Sequence, residues 1–258
     1  MSKPSFINFW QENGIGYIEL NRPKVLNALN RQMVSEIVSA LAEFDHNHDI
    51  RVILIKGSGR AFAAGADIDE MAHDTPVQLE LLNQFAEWDR ISLIKKPVIA
   101  AVHGFALGGG FELALSCDFI FAAENARFGF PEVNLGVMPG AGGTVRLTKA
   151  MGRTKALEWL CTGEQMEASA ANHYGLITRL VPEELLFEEA ERFAKKLAEK
   201  PPLSLRLIKD TVNKAVDANV YEAMQYERKN FYLLFASSDQ KEGMEAFVEK
   251  RPAAFRGQ

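Results

Sequence analysis

The sequence predicts an α/β fold in its N-terminal part, followed by a largely helical C-terminal region. Short, continuously apolar runs that are typical of strands buried on both faces recur up to about residue 123. From about Gly140 onward, amphipathic helical patterns follow one another, and one short apolar run at residues 176–181 lies among them. We therefore expect an α/β core over residues 1–195 and a helical region over residues 196–258.

The strands are predicted from β-branched and aromatic runs that end at turn residues. They are expected at residues 6–10, 15–20, 52–55, 98–102 and 118–123. The first two flank Glu12-Asn13-Gly14, which indicates a hairpin. The last three are apolar throughout, apart from Asp118 at the start of the third, and should be buried.

The helices are predicted from apolar residues that recur every three or four positions. The first is expected from Arg31 to about Asn47 with Asn30 as its N-cap, and the second from Val77 to Ile94. The C-terminal helices are expected near residues 141–150, 153–162, 167–173, 183–199, 202–216, 219–235 and 238–249.

Composition and charge exclude several classes of protein. The 258 residues carry 29 Lys and Arg against 34 Asp and Glu, a formal net charge of −5, which is a poor match for a protein that binds a phosphate backbone. The apolar runs are shorter than the roughly 18 residues of a membrane helix, and the N-terminus lacks a signal-peptide pattern. The two cysteines form no disulfide framework, and the five histidines lack metal-ligand spacing. We expect a cytoplasmic protein with no metal and no nucleic-acid or membrane partner.

Three segments place glycines and a carboxylate just after a predicted strand. They cover residues 59–67, 104–112 and 128–143. In the first, small residues let a ligand approach the backbone, so the N–H groups of Ala64 to Asp67 could face a polar atom. The alternative is an ordinary strand-to-helix turn with Asp67 as an N-cap.

The second segment contains three consecutive glycines at a predicted helix start, where unpaired N–H groups can hold an oxyanion. No Lys follows as in a phosphate loop, and Leu113 stands where a dinucleotide fingerprint has its third glycine. Glu112 here and Glu132 in the third segment lie in the first turns of predicted helices, where an acid is often only a dipole partner. Their shared glycine-rich, apolar surroundings favour two carboxylates in a dry site that exchange protons with a substrate.

Several motifs together resemble the crotonase superfamily, which includes enoyl-CoA hydratases and isomerases. In chain order they are Asn21-Arg-Pro-Lys-Val-Leu-Asn-Ala-Leu29, Phe62-Ala-Ala-Gly-Ala-Asp-Ile68, Lys96-Pro-Val-Ile-Ala-Ala-Val102, Gly104-Phe-Ala-Leu-Gly-Gly-Gly-Phe-Glu112, Phe128-Gly-Phe-Pro-Glu132 and Glu242-Gly-Met-Glu-Ala-Phe-Val-Glu-Lys250. The resemblance runs through nearly the whole chain. It implies a crotonase-like spiral of ββα units with a helical C-terminal trimerisation region, assembled as a trimer or a dimer of trimers.

The resemblance also implies roles for individual residues. Ala64 and Gly109 would supply the two N–H groups that hold the thioester oxygen, and Glu112 and Glu132 would be the catalytic pair. Contacts to the acyl-CoA substrate are implied for Lys24, Val25, Ala28, Ala66, Asp67, Ile68, Gly108, Pro131 and Gly140. Lys24 would pair with the phosphates, and Phe130, where some hydratases carry a polar residue, could alter the acyl pocket.

The implied reaction is the syn addition of water across the C2=C3 bond of a 2-enoyl-CoA, giving a 3-hydroxyacyl-CoA in fatty-acid or related acyl-CoA degradation. Glu132 would give the proton to C2 and Glu112 would activate the water; coenzyme A belongs to the substrate, and no cofactor is expected. An enoyl-CoA isomerase or a bifunctional hydratase–isomerase is the alternative. The presence of both glutamates favours hydration, because members that only move a double bond generally lack the first. An RNA-associating role, found in one branch, is disfavoured by the acidic balance.

Overall fold

The structure, a computed structural model that describes residues 6–258, contains two β-sheets. The strands are β1 (Ile7–Glu12), β2 (Ile15–Leu20), β3 (Val52–Gly57), β4 (Val98–Val102), β5 (Phe105–Leu107), β6 (Phe119–Ala123), β7 (Arg127–Gly129), β8 (Gln165–Glu167) and β9 (Arg179–Val181). The expectation that the N-terminus carries no signal peptide concerns residues outside the described range.

The larger sheet has the order β1-β2-β3-β4-β6-β9 and is parallel except for the first pair. β1 and β2 form the predicted hairpin. Asn13 and Gly14 between them both have positive φ, 51° and 78°, as the two central residues of a type I′ turn require. β1 runs two residues further than expected because this turn occupies only two positions.

The helices surround this sheet and continue beyond it. They are α1 (Arg31–His46), α2 (Ile68–Met71), α3 (Pro76–Leu82), α4 (Phe85–Ile91), α5 (Gly109–Ser116), α6 (Gly143–Met151), α7 (Arg153–Thr162), α8 (Ala168–His173), α9 (Leu186–Ala198), α10 (Pro202–Asp217), α11 (Val220–Leu234) and α12 (Ser238–Glu249). Asn30 caps α1 as predicted, because its side chain accepts a hydrogen bond of 2.9 Å from the Met33 N–H.

Strands β3, β4 and β6 are buried on both faces, as their apolar runs predict. Alternate residues point to opposite faces of a strand, so each strand contributes to two separate cores. Ile53 and Ile55 pack with α1 in the larger core. Val52 and Leu54 pack with α9 in the smaller one. The sheet is therefore a middle layer between two sets of helices, which holds its strand ends rigidly.

The smaller sheet, with the order β5-β7-β8, was not predicted from the sequence. Its strands have three residues each, too few to give a period-two pattern. The turn into β5 depends on Gly104, which has a φ of +57° and whose Cβ, if present, would lie 2.0 Å from the Arg60 carbonyl oxygen. β4 and β5 with α5 form one strand–strand–helix unit, and this unit builds the site described below.

The helix expected from Val77 to Ile94 is two helices, α3 and α4. Thr75 and Gln78 form a capping box that starts α3 at Pro76. Asn83 ends α3 in the left-handed conformation, with a φ of 44°, which Asn tolerates better than most residues. The apolar periodicity continues from α3 into α4, so the sequence pattern did not indicate the helix end at Asn83.

The C-terminal helices are joined to the core by a half-buried ion pair. Lys209 on α10 lies 2.7 Å from the Asp118 carboxylate and donates to the Lys96 carbonyl oxygen at 2.9 Å. The boundary expected between residues 195 and 196 falls inside α9, which packs on the sheet through Leu186, Ala190 and Ala194. The helices without a place on the sheet begin with α10.

Candidate active site

The three glycines at the start of α5 have different surroundings. A Cβ on Gly110 would lie 2.1 Å from the Ala63 carbonyl oxygen, so this glycine lets α5 pack directly on a neighbouring backbone. Gly108 has a φ of +49°, and a Cβ there would lie 2.7 Å from Oε1 of Glu132. These two glycines therefore serve close packing and the turn, whereas a Cβ on Gly109 would make only ordinary van der Waals contacts.

Gly109 is the first residue of α5, so its N–H has no partner within the helix. A Cβ on Gly109 would find the Ala66 backbone nitrogen at 3.7 Å as its nearest neighbour. The N-terminus of α5 and the segment at residues 61–67 thus approach each other at these two residues. An N–H at this end of a helix also lies at the positive end of the helix dipole.

The orientation of Ala66 follows from a parallel bridge to Leu29. The Leu29 N–H donates to the Gly65 carbonyl oxygen at 2.8 Å, and the Asp67 N–H donates to the Leu29 carbonyl oxygen at 2.9 Å. In this pattern the residue opposite Leu29 directs its own N–H and C=O away from the bridge. The Ala66 N–H consequently points away from Leu29, and no acceptor within residues 6–258 binds it.

The structure does not support Ala64 as an oxyanion donor. Its N–H donates to the Leu26 carbonyl oxygen at 3.0 Å, and an N–H held in this way is not available to a ligand. The N–H of Ala66, two positions further on, has no acceptor within residues 6–258, and its nitrogen lies 3.7 Å from where a Cβ on Gly109 would be. The sequence-based prediction named Ala64 in this segment, and the hydrogen bond to Leu26 is the reason to replace it with Ala66 as the candidate donor.

Glu112 lies in the first turn of α5, and its side chain is 4% exposed. Its Oε1 accepts hydrogen bonds from the Ala141 N–H at 2.7 Å and the Gly143 N–H at 2.8 Å. Burial raises the pKa of Glu112 above its ordinary value, while these two donors and the positive charge of Arg146 oppose the rise. Glu112 is therefore a held carboxylate at the start of α6, and it does not cap its own helix.

Glu132 follows Pro131 in a 3₁₀ turn at Pro131–Leu135. Its Oε2 is buried and has no hydrogen-bond partner within residues 6–258. Burial, followed by the negative charge of Glu112, raises the pKa of Glu132 to about 7. A carboxyl group of this kind can hold and release a proton near neutral pH.

Several other residues for which substrate contacts were predicted are held by neighbouring side chains. Arg22 ties two of them together, because its guanidinium donates to the Ala28 carbonyl oxygen at 2.5 Å and pairs with Asp67 at 2.9 Å. Asp67 precedes α2 but does not cap it with its side chain. Gly140 lies beside the Phe85 ring, 2.6 Å from where its Cβ would be. It directly precedes the residue whose N–H binds Glu112.

Lys24 and Val25 lie exposed in the 3₁₀ turn Pro23–Val25, and Ile68 is half exposed at the start of α2. No hydrogen bond or ion pair among residues 6–258 joins these three to either glutamate. Their exposure is compatible with the contacts predicted for them.

Phe130 is a core residue and does not form part of an open pocket. It is 1% exposed and stacks on Phe111 with ring centroids 4.9 Å apart. Its ring also contacts Gly143, 2.6 Å from where a Cβ would be. Phe130 thus supports the backbone that binds Glu112.

The sequence-based interpretation missed the donors that hold Glu112. The N–H groups of Ala141 and Gly143 belong to a glycine-rich run whose only signal was its composition. It also missed Asn27, a buried side chain that contacts the segment carrying Ala66. In both cases a partner distant in sequence gives the residue its role.

Two general findings bear on the kind of site this is. Within residues 6–258, no group of three or more His, Cys, Asp or Glu side chains is placed to hold a metal ion. In the same part of the chain, every helix is too short or too polar to cross a membrane. The two carboxyl groups and the two backbone N–H groups described above are of the kinds suited to proton transfer beside a developing negative charge.

Comparison with known proteins places this site in a family. The model of the enoyl-CoA hydratase/isomerase family matches residues 10–258. A probable enoyl-CoA hydratase of Mycobacterium bovis is 46% identical over 245 residues, 95% of each chain. The mitochondrial enoyl-CoA hydratase of Pongo abelii is 44% identical over 248 residues, 96% of this chain and 86% of its own.

Solved structures agree with this match. An enoyl-CoA hydratase subunit I from Geobacillus kaustophilus HTA426 has a TM-score of 0.98 and 64% identity, and all of both chains is covered. The predicted crotonase-like α/β fold and the resemblance on which it rested are confirmed. The chain therefore belongs to the enoyl-CoA hydratase/isomerase family.

Proposed function

We propose that this protein is an enoyl-CoA hydratase, which adds water across the C2=C3 bond of a 2-enoyl-CoA and forms a 3-hydroxyacyl-CoA. The observation that carries the proposal is the pair Glu112 and Glu132, whose carboxyl groups interact electrostatically. Glu112 accepts backbone hydrogen bonds, whereas the buried Oε2 of Glu132 has no partner within residues 6–258. The hydratase names of relatives at 44–46% identity support it.

The two backbone donors would activate the substrate. The N–H groups of Ala66 and Gly109 would bind the thioester oxygen, on which negative charge collects when water attacks C3. A well-placed donor of this type contributes about 3 kcal/mol to the transition state. Because both donors are fixed by strand pairing and a helix start, they need no rearrangement as the charge develops.

The two carboxyl groups would divide the proton transfers. Glu112, whose ionised form is favoured by its two N–H donors against the effect of burial, accepts a proton from water as the water oxygen bonds to C3. The π electrons of the C2=C3 bond move towards the thioester oxygen, and Glu132 then gives its proton to C2. The proton on Glu112 returns to Glu132 before the next turnover, so the protein is unchanged. Delivery from one side of the substrate accounts for syn addition.

The remaining expectations complete this proposal. The exposed loop with Lys24 and Val25 would contact the coenzyme A part, and no metal or other cofactor would be required. The active form would be a homo-oligomer, a trimer or a dimer of trimers, in the cytoplasm. Its pathway would be fatty-acid or related acyl-CoA degradation, and no nucleic acid or membrane would take part.

Movement of a double bond is the second candidate activity. It would use Glu132 to move a single proton and the same two N–H donors to bind the thioester oxygen. It would not need Glu112, because no water is added. The family matched by this chain contains both hydratases and isomerases. The hydrogen bonds that hold Glu112 favour hydration, because they fix a second carboxylate at the site.

A substrate panel tests the proposal. The purified protein is incubated with 2-enoyl-CoA and 3-enoyl-CoA thioesters of several acyl lengths, with and without EDTA, and the products are separated and identified. Formation of 3-hydroxyacyl-CoA from the 2-enoyl esters, unaffected by EDTA, is the expected result. Conversion of 3-enoyl to 2-enoyl esters without hydration would instead establish the isomerase.

A further inference from the structure

Asn27 is a buried polar side chain outside the catalytic pair. It is 0% exposed, and its φ of 57° places it in the left-handed region. Its amide oxygen accepts from the Arg22 N–H at 2.8 Å, and its amide nitrogen donates to the carbonyl oxygens of Ser58 at 2.9 Å and Ala61 at 2.8 Å. Asn27 therefore joins the loop at residues 22–29 to the segment at residues 58–67.

The same two stretches of chain fix the direction of the Ala66 N–H. Three backbone hydrogen bonds join them: Ala64 to Leu26, Leu29 to Gly65 and Asp67 to Leu29. The register of these bonds decides which peptide group of residues 61–67 faces Gly109. A shift by one residue would turn the Ala66 N–H towards Leu29 and would bring its neighbours to the site.

The loop that carries this register is in an uncommon conformation. Leu26 and Asn27 both have positive φ, 51° and 57°, which is unfavourable for residues with a side chain. The three hydrogen bonds of the Asn27 amide hold the loop in this conformation from its buried side. The Arg22 guanidinium adds bonds to Ala28 and Asp67 on the other side, but it is partly exposed.

We propose that Asn27 is a positioning residue for the oxyanion hole. Its amide fixes the register in which the Ala66 N–H points at the thioester oxygen, although Asn27 itself does not touch the substrate. This inference rests on the proposed function. Since the oxyanion hole acts mainly on the transition state, loss of the amide should lower kcat more than it raises KM.

Two matched variants separate positioning from general stability. Asn27→Gly removes the amide while Gly accepts the positive φ without strain. Asn30→Gly, three residues further along the same chain, removes one capping bond to the Met33 N–H and leaves the register bonds in place. Asn27→Asp is a second test at position 27, because it keeps an acceptor for Arg22 and loses both donors.

The readouts are kcat, KM, thermal melting and the absorption of a bound CoA thioester that carries a conjugated aromatic acyl group. N–H donors at the thioester oxygen shift this absorption to longer wavelength, and the shift is measured at saturation, where changes in affinity do not enter. Removal of one donor costs about 10²–10³ in kcat. We expect Asn27→Gly to lose about 10- to 100-fold in kcat and much of the shift, with Asn30→Gly close to the natural protein in both.

The outcomes are distinguishable. A folded Asn27→Gly or Asn27→Asp protein with the full spectral shift and nearly unchanged kcat would overturn the positioning role. If Asn27→Gly melts below the assay temperature, the bound complex is measured at lower temperature, where saturating ligand stabilises the fold. A natural protein that binds the probe with a shift but hydrates no enoyl-CoA would contradict the proposed function, and the comparison of shifts would still test Asn27.

Discussion

Glu112 and Glu132 are the same amino acid, yet their different surroundings suit one to accept a proton and the other to give one. Glu112 receives two backbone N–H donors on one oxygen, which favour the ionised form and oppose the rise in its pKa caused by burial. Glu132 has a buried oxygen without a partner, and its pKa rises to about 7. One carboxyl group is thus suited to accept a proton from water and the other to give a proton to carbon.

Exchange of each glutamate for Gln tests this division. Glu112→Gln and Glu132→Gln keep the size of the side chain but cannot transfer a proton, so each should lower hydratase turnover by about 10²–10⁴-fold. The double variant should lose much less than the product of the two, because in the proposed mechanism the two glutamates act as a unit. Any isomerase activity should survive Glu112→Gln better than Glu132→Gln. Kinetics of the three variants, with thermal melts as a control for folding, check this, and near-normal hydration by folded Glu112→Gln would contradict it.

The raised pKa of Glu132 has a consequence for stability. The folded protein keeps this proton up to a pH of about 7, while the unfolded chain releases it near the ordinary value of 4.5. The free energy of unfolding should therefore fall as the pH rises between these values, since the folded state binds more protons. Glu132→Gln removes this loss, so its melting temperature should exceed that of the natural protein by more at pH 8 than at pH 5. The exposed Glu124→Gln is the control, and a difference that shrinks with rising pH would contradict the assignment.

Arg146 should shift the acid limb of the pH–rate profile to lower pH. Its positive charge lowers the pKa of Glu112, an effect smaller than those of burial and of the N–H donors Gly143 and Ala141. Arg146→Gln should raise the pKa of Glu112 and move the acid limb of the kcat/KM profile to higher pH. Lys149→Gln, which removes a charge from the same helix but from an ion pair with Asp217, is the matched control. Equal profiles for the two variants would show that Arg146 has no specific effect on Glu112.

At the scale of the element, helix α5 lies directly against the backbone of residues 61–67. Gly110→Ala would place a Cβ 2.1 Å from the Ala63 carbonyl oxygen, and the backbone on both sides would have to move. Overpacking of this kind costs about 1–3 kcal/mol or more. Gly109→Ala meets nothing closer than 3.7 Å and should cost little in stability. Chemical denaturation of the two variants checks the contrast, and equal losses would show that this contact is not tight.

Elements with a long, regular pattern could be predicted from the sequence, and elements set by distant partners could not. The hairpin and α1 followed from two turn residues and one cap. The three-residue strands β5, β7 and β8 have no pattern of their own and exist because they pair with one another. The site shows the same limit, since the sequence indicated residues 59–67 but only the bridge to Leu29 determines that Ala66, and not Ala64, has a free N–H.

At the scale of the whole molecule, the C-terminal helices expose many large apolar side chains. The exposed residues recur on one face of α10 and on α11 and α12. They include Ile208, Val212, Val216, Phe231, Tyr232, Leu233, Phe247 and Val248. Apolar surface of this extent usually marks an interaction site. Light scattering should therefore find an assembly of several subunits, such as the proposed trimer or dimer of trimers, and Val212→Glu should weaken it. A stable species at the sequence mass of 28.7 kDa would contradict the assembly.

The free N–H of Ala66 is set by the pairing of residues on either side of it, and this affects how the site can change by mutation. Both proposed oxyanion donors are peptide groups, which every residue except proline carries. A substitution at position 66 alters the size of the side chain there but does not delete the donor. The vulnerable positions are elsewhere, in the side chains and glycines that hold the two backbones in register. The proposed oxyanion hole therefore depends mainly on residues other than the two that form it.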